Sequence, residues 1–257
     1  MILTYVYCIV RSVRRPARVR MPRPMPGAAD ITVAAAGDGR WLIVSHVPET
    51  EYGEAALARG LEDIDWVAAR ALAHEAVVEQ FLAARAVLPM KLFTLFTSDE
   101  RASSYVARHR RRIDRVLSRV ERQHEWGVRL TFQESARRAT VGGSARTETG
   151  AGYLARKREL LDLDRVRLVE ARTHGNRAYK AMAREATAAR RRPATERSTP
   201  GSRLIVDAAF LVPVGRTAAF RAAIRRQARA LDAAGLSVVL TGPWPPYNFI
   251  DTPGRRA

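Results

Sequence analysis

The sequence predicts an α+β fold, two small α+β domains with mainly antiparallel sheets joined in one chain. Three observations point there. Apolar residues make up 47% of 257, enough to bury a core. The strand-like apolar runs are short. They mix with helical patterns without regular βα alternation, which argues against a doubly wound parallel sheet. Each half has a strand–helix–strand–helix–strand order that suits a ferredoxin-like sheet. The expected domains are 1–123 and 124–257.

In the first half, tyrosines and β-branched residues over 3–10 predict a strand. Residues 11–30 hold Pro16, Pro22, Pro24 and Pro26 among arginines and read as a loop. Residues 31–35 and 41–47 are short strands joined by a glycine-rich hairpin signal at Gly37 and Gly39. Val67, Ala71, Val78 and Leu82 repeat at helical spacing and predict a helix over 65–85. Residues 87–96 are β-rich and broken by Pro89. Ser98 or Asp99 can cap a helix over 100–121, where Val106, Ile113, Leu117 and Val120 form an apolar stripe.

In the second half, 126–132 alternates as a strand, and 135–152, with Gly142 and Gly143, reads as a loop. Residues 153–191 are a long charged helical stretch that Gly175 and Asn176 can interrupt. The segment about 190–202 is polar, basic and proline-containing, and is expected to be a mobile linker. A strand over 204–212, a helix over 217–234 closed by Gly235, and a strand over 236–240 follow. The chain then runs through a proline-aromatic strip, Trp244, Pro245, Pro246, Tyr247 and Phe249, whose prolines favour an extended path.

The net charge is +18, which alone suggests a polyanion partner. Only Lys91, Lys157 and Lys180 are lysines; every other basic residue is arginine, a skew that suits a solvated arginine-rich surface. Arg108, Arg112, Arg115 and Arg119 lie on one stripe of the 100–121 helix. That stripe lacks the interleaved aromatics of single-strand binders, and no helix-turn-helix, zinc-finger or RNA-recognition signature is present. No apolar run reaches the length of a membrane span. Cys8 is the only cysteine, so no internal disulfide forms, which fits a reducing cytoplasm.

Motifs of chemistry are absent. There is no G-x-G-x-x-G, no Walker loop and no G-x-S-x-G. The five histidines have no metal-ligand spacing, so no metal is predicted. His74 lies on an apolar helix stripe beside Glu75, where it is a hydrogen-bonded core histidine or, alternatively, a buried acid–base group. No catalytic residue emerges from the residues alone.

Six segments together resemble the gas vesicle accessory proteins of the GvpL/GvpF family. They are YVYCIV from Tyr5, DWVAARALAHEAVV from Asp65, VLPMKLFTLF from Val87, EWGVRL from Glu125, GYLARK from Gly152 and LTGPWPPYNFID from Leu240. They occur in the family's order across nearly the whole chain, and TGPWPPYNF is the most specific. Cys8 stands where the family often has glycine. Leu92 and Phe93 replace a familiar Phe-Gly, and a phenylalanine there needs new space.

The resemblance implies a cytoplasmic, non-enzymatic assembly factor of two α+β domains without a cofactor. Its expected partners are the small hydrophobic shell protein and other accessory proteins of the gas vesicle. The candidate partner-binding residues are Trp244, Pro245, Tyr247 and Phe249 in the strip, and Arg108, Arg112, Arg115 and Arg119 on the basic stripe. The alternative is a basic nucleic-acid-binding or regulatory module. A further alternative is an enzyme site around His74.

Overall fold

The near-continuous apolar run of β1 (Ile2–Arg11) sends side chains to both faces of the strand, and both faces are covered. This is why Leu3 to Val10 are buried without a polar interruption longer than Thr4. The computed structural model describes residues 1–17, 22–133, 150–193 and 202–250. It divides into two compact units, one of Met1–Glu125 with the segment from Pro243, the other of Trp126–Gly242. The terminal strip therefore belongs with the first unit, whereas chain order places it at the end of the second half.

The first unit is built on a five-stranded antiparallel sheet. β2 (Thr32–Ala35) and β3 (Arg40–Pro48) extend β1 on one side, while β4 (Ala86–Pro89) and the short β5 (Leu95–Phe96) pair with β1 on the other. The register of β1 against β3 shifts between Val6 and Cys8, a bulge that re-aims Tyr7. One face packs Tyr5, Tyr7, Ile43 and Val47 against Tyr52, Val77 and Val78. The other packs Val6, Ile9, Leu42 and Val44 against Val106, Ile113 and Leu117.

Helices α1 (Glu49–Tyr52), α2 (Glu54–Gly60) and α3 (Ile64–Glu79) follow β3, and α4 (Asp99–Arg108) and α5 (Arg110–Arg119) follow β5. Three strands precede the first helix, so this unit departs from the ferredoxin-like order that its sequence suits. The described end of the 11–30 loop is anchored. Met25 is buried and its amide donates to the Tyr7 hydroxyl at 2.9 Å, and the Tyr52 hydroxyl donates to the Pro26 carbonyl at 2.6 Å.

The second unit does follow that order. β6 (Gln123–Gln133), α6 (Gly150–Ala183), β7 (Ala188–Arg191), β8 (Ser202–Pro213), α7 (Thr217–Asp232) and β9 (Leu236–Trp244) run β-α-β-β-α-β, and the strands lie β7-β8-β6-β9. Clean period-two alternation buries Trp126, Val128, Leu130 and Phe132 from β6, and Val206, Ala208, Phe210 and Val212 from β8. Ala171, Ala178 and Met182 of α6 and Phe220, Ile224 and Leu231 of α7 complete this core.

Several elements differ from the expected ones: the helix over 65–85 ends at Glu79, the 87–96 run is two short strands, and two short helices lie between β3 and α3. The helix over 100–121 is divided at His109, whose backbone sits at φ −100° and ψ 13°, outside helical geometry. The long helix ends at Ala183, and 188–191 pair with β8 rather than opening a linker; Arg192 continues the anchoring by donating to Asp207 through its amide at 2.8 Å and Nε at 2.7 Å. Residues 194–201 of the expected linker lie outside the described residues, as do 134–149 of the expected loop. Finally, β9 continues through Pro243 to Trp244, four residues past the expected end. Proline is tolerated there because β9 is the sheet's edge.

Candidate functional site

Helix α3 is started by Asp63, whose Oδ1 accepts from the amides of Asp65 at 2.9 Å and Trp66 at 3.2 Å. On one side of the helix, Arg70 lies over the Trp66 ring at 3.7 Å, and Trp66 packs on Phe93 with ring centroids 5.4 Å apart. Trp66 reaches this position because residue 60 is glycine: a Cβ there would meet the indole at 2.7 Å. Phe93 has φ +63°, the left-handed region that glycine enters without strain. The Trp66 stack holds it there.

His74 is the next turn of α3, and it is 4% exposed. Its Nδ1 shares a 2.6 Å hydrogen bond with the Tyr5 hydroxyl, and its ring lies 5.8 Å from Tyr5 and 5.7 Å from Tyr7. Burial pulls its pKa down to about 4 and the Met90 carbonyl opposes the shift, so the ring is neutral at physiological pH. Its hydrogen bond is spent inside the core. His74 is the hydrogen-bonded core histidine of the two sequence readings.

Glu75 is half-buried in the wall of an open cleft of about 370 Å³. Ala71, His74 and Glu75 come from α3; Pro89, Met90, Lys91 and Leu92 come from the end of β4 and the turn after it; Tyr247 and Ile250 come from the strip. Burial raises the Glu75 pKa; the Tyr247 hydroxyl lowers it, while Glu79 and Glu125 raise it further. The Tyr247 hydroxyl is itself buried, and burial and then Glu75 push its pKa up. The two oxygens face each other without reaching ordinary hydrogen-bond geometry.

The strip is fixed by a separate contact. The buried Glu125 carboxylate accepts from the Asn248 amide at 2.8 Å and from its Nδ2 at 2.5 Å. Tyr247–Phe249 forms a single 3-10 turn, which directs Phe249 inward, 2% exposed, and buries Ile250. Pro245 and Pro246 are also buried, and Trp244 is 37% exposed.

Of the strip's candidate residues, then, Tyr247 lines the cleft, Pro245 and Phe249 are packed inside, and Trp244 reaches the surface. Arg108, at the end of α4, and Arg112, Arg115 and Arg119 on α5 are exposed. Arg119 Nη1 lies 3.5 Å from the Phe249 carbonyl, a contact that joins the two candidate groups. Glu75 and the Pro89–Leu92 wall are the part of the site that residue-by-residue motif reasoning misses. The available signal is that they fall inside the segments that carry the family resemblance.

The cleft's walls are apolar apart from His74, Glu75, Lys91 and the Tyr247 phenol, and His74 Nε2 is buried without a hydrogen-bond partner. Among the described residues no group of three or more His, Cys, Asp or Glu could hold a metal ion. Among the same residues, no helix is long and apolar enough to cross a membrane.

Residues 3–251 match the family described as gas vesicle synthesis protein GvpL/GvpF. The chain is 30% identical over 218 residues to gas vesicle protein L of Streptomyces sp. (strain CB03234), an alignment covering 80% of this chain and 78% of that protein. Its fold is similar to the crystal structure of the gas vesicle protein GvpF from Anabaena sp. PCC7120, with a TM-score of 0.66, 14% identity, and 100% and 99% of the two chains covered. It is also similar to that of GvpF from Microcystis aeruginosa, with a TM-score of 0.62, 13% identity, and 97% and 99% covered.

Proposed function

Because the chain belongs to the gas vesicle GvpL/GvpF family, we propose that its accessory role in gas vesicle formation is carried out by binding, without chemistry. In this reading it works in the cytoplasm, holding the small hydrophobic shell protein and other accessory proteins during assembly. One observation carries the reading. Three of the segments that mark the family, the first two separated by eight residues and the third by more than a hundred, supply the walls of a single open and largely apolar cleft. Apolar clefts with a few placed polar groups are binding sites by default.

The exposed arginines of α4 and α5 add a basic surface for acidic partners, and contacts there weaken with salt. The nucleic-acid alternative rests on those same arginines. A strain lacking this gene is complemented with the wild-type chain or with a cleft variant, Ala71→Phe, and scored for buoyancy and for pressure-collapsible light scattering. The accessory reading expects vesicles with the wild type and few or none with the blocked cleft. Full complementation by Ala71→Phe, produced at wild-type level, contradicts a role for the cleft.

A further inference from the structure

We propose that the α3 cleft is a socket for one lysine or arginine side chain carried on an otherwise apolar segment of the shell protein, with Glu75 as its counter-charge. The inference rests on the shell-binding reading above and names the contact that reading leaves open.

The cleft joins an apolar wall to one unneutralised acid. Ala71, Pro89, Met90, Leu92 and Ile250 give the wall. Outside it, α3 shows Ile64 and Leu72 to solvent at 81% and 73% exposure. Ile64, Ala68 and Leu72 recur at i,i+4 on α3, and Leu72 is i,i+3 from Glu75, so this apolar stripe runs along the helix to the residue that supplies the cleft's acid. An apolar segment seated there covers a surface that the described fold leaves open.

Glu75 sets what else the segment must carry. Among the described residues Asp30, Glu54, Glu62 and Asp65, like Glu75, lack a basic partner, but they are exposed to water, whereas Glu75 is half-buried in a largely apolar cleft. Asp38, Asp99, Asp114, Glu121 and Asp207 all have arginine or histidine partners. Glu75, half-buried, has none among the described residues. Its charged neighbours are Glu79 and Glu125, and Glu125 is committed to Asn248. Lys91 stands on the rim and forms no ion pair with it.

A partly desolvated carboxylate beside other acids gains most from an incoming cation. A phosphate-rich ligand gains nothing from that wall and is repelled by it. A free metal ion finds a single carboxylate there, too few ligands for a stable site. A long basic side chain suits both parts of the cleft, since its methylenes lie along Met90 and Leu92 while its head reaches Glu75.

The test is a mutant cycle between the full chain and peptides that tile the small shell protein. Each basic residue of each peptide is replaced in turn by norleucine, which keeps length and removes charge. Binding is read by fluorescence anisotropy against wild type, Glu75→Gln and Ala71→Phe, with thermal melts to check that each variant folds. The expected result is one peptide in which a single basic-to-norleucine change weakens binding to wild type at least tenfold and leaves binding to Glu75→Gln unchanged. Ala71→Phe, which fills the cleft without touching the charge, weakens the same peptide.

Equal losses against wild type and Glu75→Gln at every basic position overturn the socket. Co-purification of the intact shell protein separates the two readings. If it follows wild type and Glu75→Gln alike, shell binding stands and the socket is wrong. If it follows neither, both fall.

Discussion

At the scale of single residues, the terminal strip holds one aromatic buried in the core and another that reaches the surface. Trp244, Tyr247 and Phe249 look equivalent in a proline-rich strip, but backbone geometry separates them. The 3-10 turn at Tyr247–Phe249 drives Phe249 into the core and leaves Trp244 more than a third exposed. Phe249→Ala is expected to cost about 3–5 kcal/mol of stability in urea denaturation, whereas Trp244→Ala costs under about 1 kcal/mol. The reverse order contradicts Phe249 as the anchor.

His74 gives a prediction in pH. Its folded pKa, about 4, lies below its ordinary value of 6.5, so the unfolded chain takes up the proton first. The stability tied to its neutral ring is whole above pH 6.5 and declines as pH falls towards 4, by roughly 3 kcal/mol in total. Wild type should lose more stability than His74→Gln between pH 7 and pH 4.5. Glu75, whose folded pKa is raised, acts in the opposite direction, but equally in both proteins. Parallel pH profiles contradict the assignment.

At the scale of elements, periodicity is legible and close approach is not. The strands of the second unit follow from alternation, and α7 from its apolar spacing. Gly175, however, reads as a helix breaker because glycine destabilises a helix interior when viewed alone. In the fold it is what lets α6 lie against β8: a Cβ at 175 would stand 2.7 Å from Ile205 Cγ2. Gly175→Ala should therefore destabilise by about 1–3 kcal/mol in spite of its better helix propensity. Adding Ile205→Ala should recover part of that loss, a coupling visible in a double-mutant cycle. Phe93 is the complementary case, a side chain where the backbone favours glycine. Because φ is +63°, Phe93→Gly should be more stable than Phe93→Ala by about 1 kcal/mol, since both lose the Trp66 stack and only glycine loses the strain. Equal stabilities contradict strain at this residue. The pairing of 188–191 as a strand depends on a long-range partner, β8, that a local pattern does not carry.

At the scale of the whole molecule, fold class and family are readable from the chain, because both depend on segment order and apolar content. The cleft is less so. Its walls come from residues near 71–75, 89–92 and 247–250, and only folding shows that they share one space. The net charge of +18 suggests nucleic acid when the chain is taken as a whole, yet the cleft contains an unpaired acid and an apolar wall. The two features predict different partners and different responses to salt: phosphate binding falls steeply as salt rises, and apolar docking does not. The most direct measurement is recovery of bound proteins from native cytoplasm on the full chain, after nuclease treatment, at low and high salt. The account predicts that the small shell protein is retained at both salts by wild type and lost from Ala71→Phe. Recovery of nucleic acid alone, released at high salt and indifferent to Ala71→Phe, contradicts it.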